Sequence, residues 1–447
     1  MAGAVASALA LAAAPSAIAS SASLVANINP VSNSDPSGFT KVGDLFYFSA
    51  DDGTHGRELW RSDGTAAGTR LVRDINPGGD GSAPSYLTNV HGTLFFRATN
   101  GTSGYELWRS NGTAAGTRMV RNQHNGSSYP RDLTKVRRTL FFTAQNDRHG
   151  RELWRSDGTN RGTRLVRDIV PGSGSSFPSD LTSVHDTLYF VAENARHGRE
   201  LWRTGGRPAG TKLVRDIRRG KTGSRPEGLT RVRRYLYFAA NDGSHGDELW
   251  RSDGTASGTT LVRDINPAGS SHPRNLTHRG QGPVVYFTAD DGTRGEELWR
   301  SDGSRSHTRL VRDIRPGGSG SRPQQLRQVG GTLFLAADDG SHGEELWRSD
   351  GTAAGTRLVR DIAPGGTGSD PQQLTDVAGT LFLAADDGTH GDEPWLSDGT
   401  GAGTRLVRDI QPGSASSLPG ALTDIAGTLY FSAFEPAHGT ELWKAVR

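Results

Sequence analysis

From residue 374 onward the chain alternates between short apolar runs and Gly-rich polar breaks. LTDV (374–377) is followed by TLFLAAD (380–386), EPWLS (393–397) and TRLVRDI (404–410). The breaks read DDGTHG, SDGTGAGT and PGSASS. Runs of this length, rich in Leu, Phe, Val and Thr and separated by turn residues every 8–12 positions, predict strands rather than helices. The second run is the most apolar in most copies, as in LFYFSA, LFFRAT and LYFVAE.

The same sentence returns along the whole chain. Glu58 to Ile75 reads ELWRSDGTAAGTRLVRDI and recurs unchanged at Glu345 to Ile362. Every tryptophan sits in it: Trp60, Trp108, Trp154, Trp202, Trp250, Trp299, Trp347, Trp395 and Trp443, 46 to 49 residues apart. That regularity leaves no room for an inserted domain or linker. A four-strand unit of this size is a propeller blade. The ends sharpen the reading. The last copy stops after Trp443-Lys444 without its fourth strand, whereas LVANINP (Leu24 to Pro30) matches LVRDINP (Leu71 to Pro77) ahead of the first copy. The fold class is therefore all-β: a propeller of nine four-stranded blades, about 48 residues each, with the N-terminal strand completing the last blade. A curved open stack is the alternative, since nine exceeds the usual 4–8 blades.

Residues 1–23 lie outside this pattern. AVASALALAAAPSAIA is continuous, uncharged and Ala-rich, and Ala17-Ile18-Ala19 fits a small-x-small cleavage site. These features fit a secretory leader, without the usual basic start. Residues 24–447 then form one domain. No other apolar run approaches the 20 or so residues needed to span a bilayer. The expected product is a secreted, monomeric ring without a membrane span.

Composition narrows the chemistry. Net charge is only +3, from 51 basic and 48 acidic residues, and the arginines recur at fixed positions beside acids. Nucleic acid is therefore not an expected partner, because no single basic patch is built. The chain has no Cys, so disulfides, thiol catalysis and thiolate metal sites are excluded.

For most of the repeated residues the expected role is architectural. The tryptophans are expected between blades, each with a partner for its N–H. The Glu of ELW occurs in all nine copies, and nine equivalent acids cannot all be one catalytic acid; ion-pair ladders with neighbouring arginines are expected instead. SDGT suits a tight turn. Its Ser, Asp, Gly and Thr run consecutively, unlike the alternating Asp-box of sialidases, so nothing is carried over from that hairpin.

The loop before ELW is the best functional candidate. It carries His55, His149, His197, His245, His342, His390 and His438, replaced by Ser103 and Arg294 in the other two copies. The loops between strands two and three and the PGG-type loops after strand four are expected to ring one face. Three readings stay open: His bonds its own loop, lines repeated ligand subsites, or binds metal. One His per blade gives no chelating cluster. The Asp pairs lack the D-x-D-x-D ladder of a calcium loop. No cofactor is expected, calcium having only weak support, and no metal ligand or catalytic residue is assigned.

At ELWRSDGTAAGTRLVRDINPGG the chain resembles the bacterial ELWxxDGT-repeat proteins, from about Leu24 to the C-terminus. The resemblance implies an exported, propeller-like repeat fold and no established activity. Asn122 to Gly126, Thr204 to Gly206, His278 to Pro283, Ser304 to His307, and Pro394 with Leu396 depart from the repeat. They are scattered and mostly lose polar residues, which favours binding over catalysis. The expectation is a non-catalytic, multivalent binding or scaffold module for an extracellular glycan or protein. The rival is a polysaccharide-degrading hydrolase or lyase, needing two carboxylates about 5–9.5 Å apart; only Glu193 and Glu227 stand off the pattern. A structural surface protein is the third reading.

Overall fold

The computed structural model describes residues 21–123, 126–278, 280 and 282–447. Nine four-stranded antiparallel sheets make up the molecule. The 3-10 turn Pro208–Gly210 is the only helical element among the described residues. In the first blade the order is β2 (Ser37–Val42), β3 (Leu45–Asp51), β4 (Arg57–Ser62) and β5 (Arg70–Arg73). The first strands of successive blades neighbour one another around the whole ring, and β34 (Gly420–Ile425) of the ninth blade returns to β2. The first strand of each blade is thus innermost and the fourth outermost.

Closure follows the sequence. In the ninth blade β34, β35 (Thr428–Glu435) and β36 (Gly439–Val446) are completed by β1 (Ser21–Ala26). Leu24 pairs with Trp443 as Leu71 pairs with Trp60. The strand starts at Ser21, so Ser21, Ala22 and Ser23, read from the sequence as the end of the leader, belong to the sheet. The rest of that segment, including Ala17-Ile18-Ala19, lies outside the described residues.

The core lies between blades. Nine apolar clusters occupy the nine interfaces, each joining one blade to the next. At the first interface Tyr47, Leu59, Val72 and Ile75 of one blade pack on Leu94, Phe96, Ala98 and Trp108 of the next. At the closing interface Val25, Ile28 and Tyr430 meet Phe46, Phe48 and Trp60. All nine tryptophans are buried there. Trp154 donates its indole N–H to the Ala144 carbonyl at 3.1 Å. The indole nitrogens of Trp60, Trp108, Trp202, Trp250, Trp395 and Trp443 are buried without a hydrogen-bond partner. The expected indole partner is therefore mostly missing.

Among the described residues no ELW glutamate is ion-paired with an arginine. The arginines reach across blades to backbone oxygens. Arg61, which follows Trp60, donates to the Gly112 carbonyl at 2.7 Å, and Arg73 to the Thr117 carbonyl at 2.6 Å. Fourth-strand arginines also lie over the next blade's tryptophan, as Arg312 does over Trp347 at 5.8 Å and Arg408 over Trp443 at 5.3 Å. Ring closure repeats both links: Lys444 donates to the Gly64 carbonyl at 3.0 Å and Arg408 to the Ala22 carbonyl at 3.0 Å. A carbonyl one blade away is a fixed acceptor; an acid on the same strand would serve only its own blade.

Candidate functional site

The two loops expected on one face are packed back to back. The turn at Gly56 touches Gly79 and Gly81 of the PGG loop so closely that a Cβ at Gly56 would overlap that backbone. The N–H groups of Ser82 and Ala83 both reach the Arg57 carbonyl. Beneath this contact lies the repeated glutamate. Glu58 accepts from the Asn76 N–H at 3.0 Å and from the Ser82 hydroxyl at 2.6 Å. The same serine bond recurs in all nine blades at 2.5–2.7 Å, with Ser34 on Glu441 in the last. All nine glutamates are buried. Burial pushes their pKa values up against the pull of these donors, to about 7 for Glu106 and Glu152. Each glutamate therefore fixes the loop leaving the fourth strand. It also shortens that strand. TRLVRDI was expected to run to Ile410, yet the strand is only Arg405–Leu406, and the Ile410 N–H leaves the ladder for Glu393 Oε2 at 3.0 Å.

The sequence reading missed the serine. It recurs 22 to 24 residues after each ELW glutamate, except for Ser34, which comes from the N-terminal end and serves Glu441. That fixed spacing was the available signal.

The histidines sit at the outer surface of the same loops, and each is tied to its own loop. His55 Nδ1 lies 2.8 Å from Asp52 Oδ2, and its backbone N–H donates to Asp52 Oδ1. His245, His342 and His390 repeat the pair with Asp242, Asp339 and Asp387 at 2.8 Å. His149 and His197 use Asn146 and Asn194, and His438 uses Glu435. The aspartate hydrogen bond raises the pKa of His55, and Asp74 at the end of the fourth strand adds to the effect. In the third blade the far side of the ring faces the equivalent acid, His149 Nε2 lying 3.7 Å from Asp168 Oδ2. Burial would raise Asp52, but hydrogen bonds from His55 and Thr54 outweigh it and hold it low.

The two departures obey the same electrostatics. Arg294 replaces His and keeps both acids, Asp291 and Asp313, at the pairing positions. Ser103 replaces His where the flanking acids have become Asn100 and Asn122. At these two departures a cation faces two carboxylates and a neutral residue two amides. The imidazoles remain part-exposed, with His55, His245, His342 and His390 at 37–42%. Among the described residues no group of three or more His, Asp or Glu is arranged to hold a metal ion.

The off-pattern acids line different clefts, which share Arg225. Glu193 lines a cleft of about 590 Å³ with Arg199 and Lys221, whereas Glu227 lines one of about 330 Å³ with Asp247 and His272. A third cleft, about 500 Å³, opens at the inner rim between the ninth, first and second blades. Arg57, Ser85, Arg97, Ala421 and Ser432 are among the residues lining it.

The fold is that of a nine-bladed β-propeller. No family model matches the chain, and no curated protein is similar to it in sequence. Solved structures share the architecture at low identity. A puromycin hydrolase aligns at 16% identity over 81% of this chain and 60% of its own, with a TM-score of 0.39. A structure from a study of two prolyl endopeptidases aligns at 13% identity over 92% of this chain and 55% of its own, with a TM-score of 0.45. Sqt1 of Saccharomyces cerevisiae aligns at 10% identity over 82% of this chain and 96% of its own, with a TM-score of 0.42. The chain spans 60% and 55% of the length of the first two of these structures. No helix among the described residues is long and apolar enough to cross a membrane.

Proposed function

We propose that this propeller is a secreted, non-catalytic binding or scaffold module that presents one loop-bearing face to an extracellular glycan or protein. The observation that carries this reading is the fate of the repeated acids. All nine glutamates are buried and hold backbone N–H groups and a serine, so none is left facing a substrate. What the loops present outward is a set of imidazoles at fixed intervals, each oriented by its own Asp, Asn or Glu. Weak equivalent sites on a rigid ring gain avidity from multivalency, provided that the ligand can engage several at once. Export is supported by the leader-like N-terminus and by the resemblance to the ELWxxDGT-repeat proteins.

The test is binding of the protein to a panel of glycans, cell-wall polysaccharides and surface proteins, in calcium and in chelator. Saturable binding that weakens with monovalent ligand, and further on replacing His342, His390 and His438 by Ala, is expected. Absence of binding to every member would overturn the reading, and turnover of any polysaccharide would favour the hydrolase or lyase.

A further inference from the structure

One backbone position departs from the monotony of the repeat in every blade. The residue before the Pro that opens the first strand is Asp35, Ala83, Tyr129, Phe177, Arg225, His272, Arg322, Asp370 or Leu418. All nine have φ between 43° and 49°, in the left-handed region. A non-glycine residue pays for that conformation, and bulky ones are outliers there. Glycine, abundant elsewhere in this chain, never takes the position. Side chains of widely different chemistry are held at the inner rim of the loop-bearing face, and the two residues after the Pro vary as widely.

Their chemistry is concentrated in the second and third blades. Tyr86, also left-handed at φ 57°, and Tyr129 are large aromatic residues left 40% and 38% exposed. Arg97 occupies a strand position that holds only Ser, Thr, Val or Ala in the other eight blades. Its guanidinium lies 5.0 Å from the Tyr86 ring centre and 5.2 Å from that of Tyr105. Tyr105 in turn stacks on Tyr129, with ring centres 6.0 Å apart. Arg151 donates to the Tyr129 carbonyl at 3.1 Å, and Arg131 is near enough to depress its pKa after burial has done so. None of these three arginines is ion-paired among the described residues; Asp132 lies near Arg151 and Arg131, and Asp180 lies near Asp132. Arg97 uses Nε on Ser85 at 3.0 Å, and its terminal nitrogens make no hydrogen bond among the described residues.

We infer that Tyr86, Arg97, Tyr105, Tyr129, Arg131 and Arg151 form a single asymmetric site for an acidic glycan, a chain of uronate sugars. The inference rests on the binding role proposed above. The exposed rings of Tyr86 and Tyr129 suit the apolar face of a pyranose ring, and the free guanidinium end of Arg97 suits its carboxylate in paired N–H···O bonds. The cleft beside Arg97 runs on toward the first blade, where Arg57 is paired with Asp35 at 3.7 Å. An acidic polypeptide would use the arginines but not the stacked rings, so the glycan is the better fit.

Calorimetric titration of the full chain with a galacturonate oligomer, its methyl ester and polyglutamate of equal charge tests this. Galacturonate should bind saturably and more weakly as salt rises; the methyl ester should bind at least tenfold more weakly. Arg97→Ser, which restores the residue found at the matching Ser49, and Tyr129→Ala should each weaken galacturonate at least tenfold. Lys41→Ser removes an equal charge from the opposite end of a first strand and should change nothing. Circular dichroism and thermal melting confirm that each variant is folded. Failure of galacturonate to bind, unchanged affinity in Arg97→Ser, or tighter binding of polyglutamate overturns the site. If galacturonate fails while other panel ligands bind, this site falls and the binding role stands; if every ligand fails, both fall.

Discussion

At the scale of single residues, the ELW glutamate and the loop histidine look equally repeated, yet the structure gives them different weights. Glu297 is buried and accepts from three backbone N–H groups and the Ser321 hydroxyl. Glu297→Ala strands those donors, so a loss of about 3–5 kcal/mol in unfolding free energy is expected by denaturant titration. His342 is part-exposed and bonds only its own loop, so His342→Ala should leave the melting temperature nearly unchanged while testing ligand binding. Gly351 shows why the repeat is so strict. Its φ is 90°, and an added Cβ would overlap the hydroxyl of Tyr286 from the preceding blade. Gly351→Ala should therefore lower stability by more than about 1–2 kcal/mol, whereas Tyr286→Phe should be tolerated, since Phe95, Phe141 and Phe334 already fill that place against Gly158, Gly206 and Gly399.

Protonation is also argued residue by residue. Burial raises the glutamates, so a folded chain holds those protons at pH values where an unfolded one has released them. Their stabilisation is present below the ordinary value of 4.5 and is lost as pH rises toward about 7 for Glu106 and Glu152. Histidines raised by their aspartates act in the same sense, contributing below their ordinary 6.5 and losing it above. The loop aspartates, held low, act oppositely and lose their contribution as pH falls below 3.8. Calorimetry should therefore show a melting temperature that rises from pH 8 to about 5 and falls below about 4. Glu106→Gln should flatten the limb between pH 5 and 7. An increase in stability from pH 5 to 8 would contradict the assignment.

At the scale of elements, the second strand was legible nearly to the residue, because Thr380–Asp386 is an uninterrupted apolar run bounded by turns. The fourth strand was not. Its alternation is genuine through Arg405–Leu406, but the Ile410 N–H has a better acceptor in a buried carboxylate than in the neighbouring strand. No local pattern encodes that competition; it depends on a glutamate 17 residues earlier. The arginines misled for a related reason. An Arg beside an Asp in sequence suggests a pair, yet its acceptor is a carbonyl 44 residues on, in the next blade. Arg312→Ala removes both its bond to the Thr356 carbonyl and its cover over Trp347, and about 1–2 kcal/mol should be lost on chemical denaturation. The aromatic and basic cluster around Arg97 was invisible for the opposite reason. Its members fall 2 to 24 residues apart and are brought together by strand pairing and by the packing of the second blade on the third.

For the whole molecule, the decisive fact is that no blade buries its own core. A ring of nine interfaces has no weak terminal repeat, because every blade is covered on both sides. Removing residues 21–26 tests how much of that depends on the displaced strand. The deletion uncovers Trp443 and Ala445 on one side and withdraws Val25 from the closing cluster. It also deprives Arg408 of its acceptor at Ala22 and leaves β36 with an unpaired edge. Burial of the apolar side chains alone is worth on the order of 5 kcal/mol. A bare edge strand beside exposed tryptophan is a template for association. The truncated protein should melt at lower temperature, show a larger radius of gyration by small-angle scattering, and self-associate at concentrations where the full ring is monodisperse. Adding a synthetic SASLVA peptide should reverse part of each change, because the last blade presents the complementary edge. A truncated chain that keeps the full melting temperature and radius would mean that the remaining eight interfaces hold the ring shut and that β1 only covers its seam.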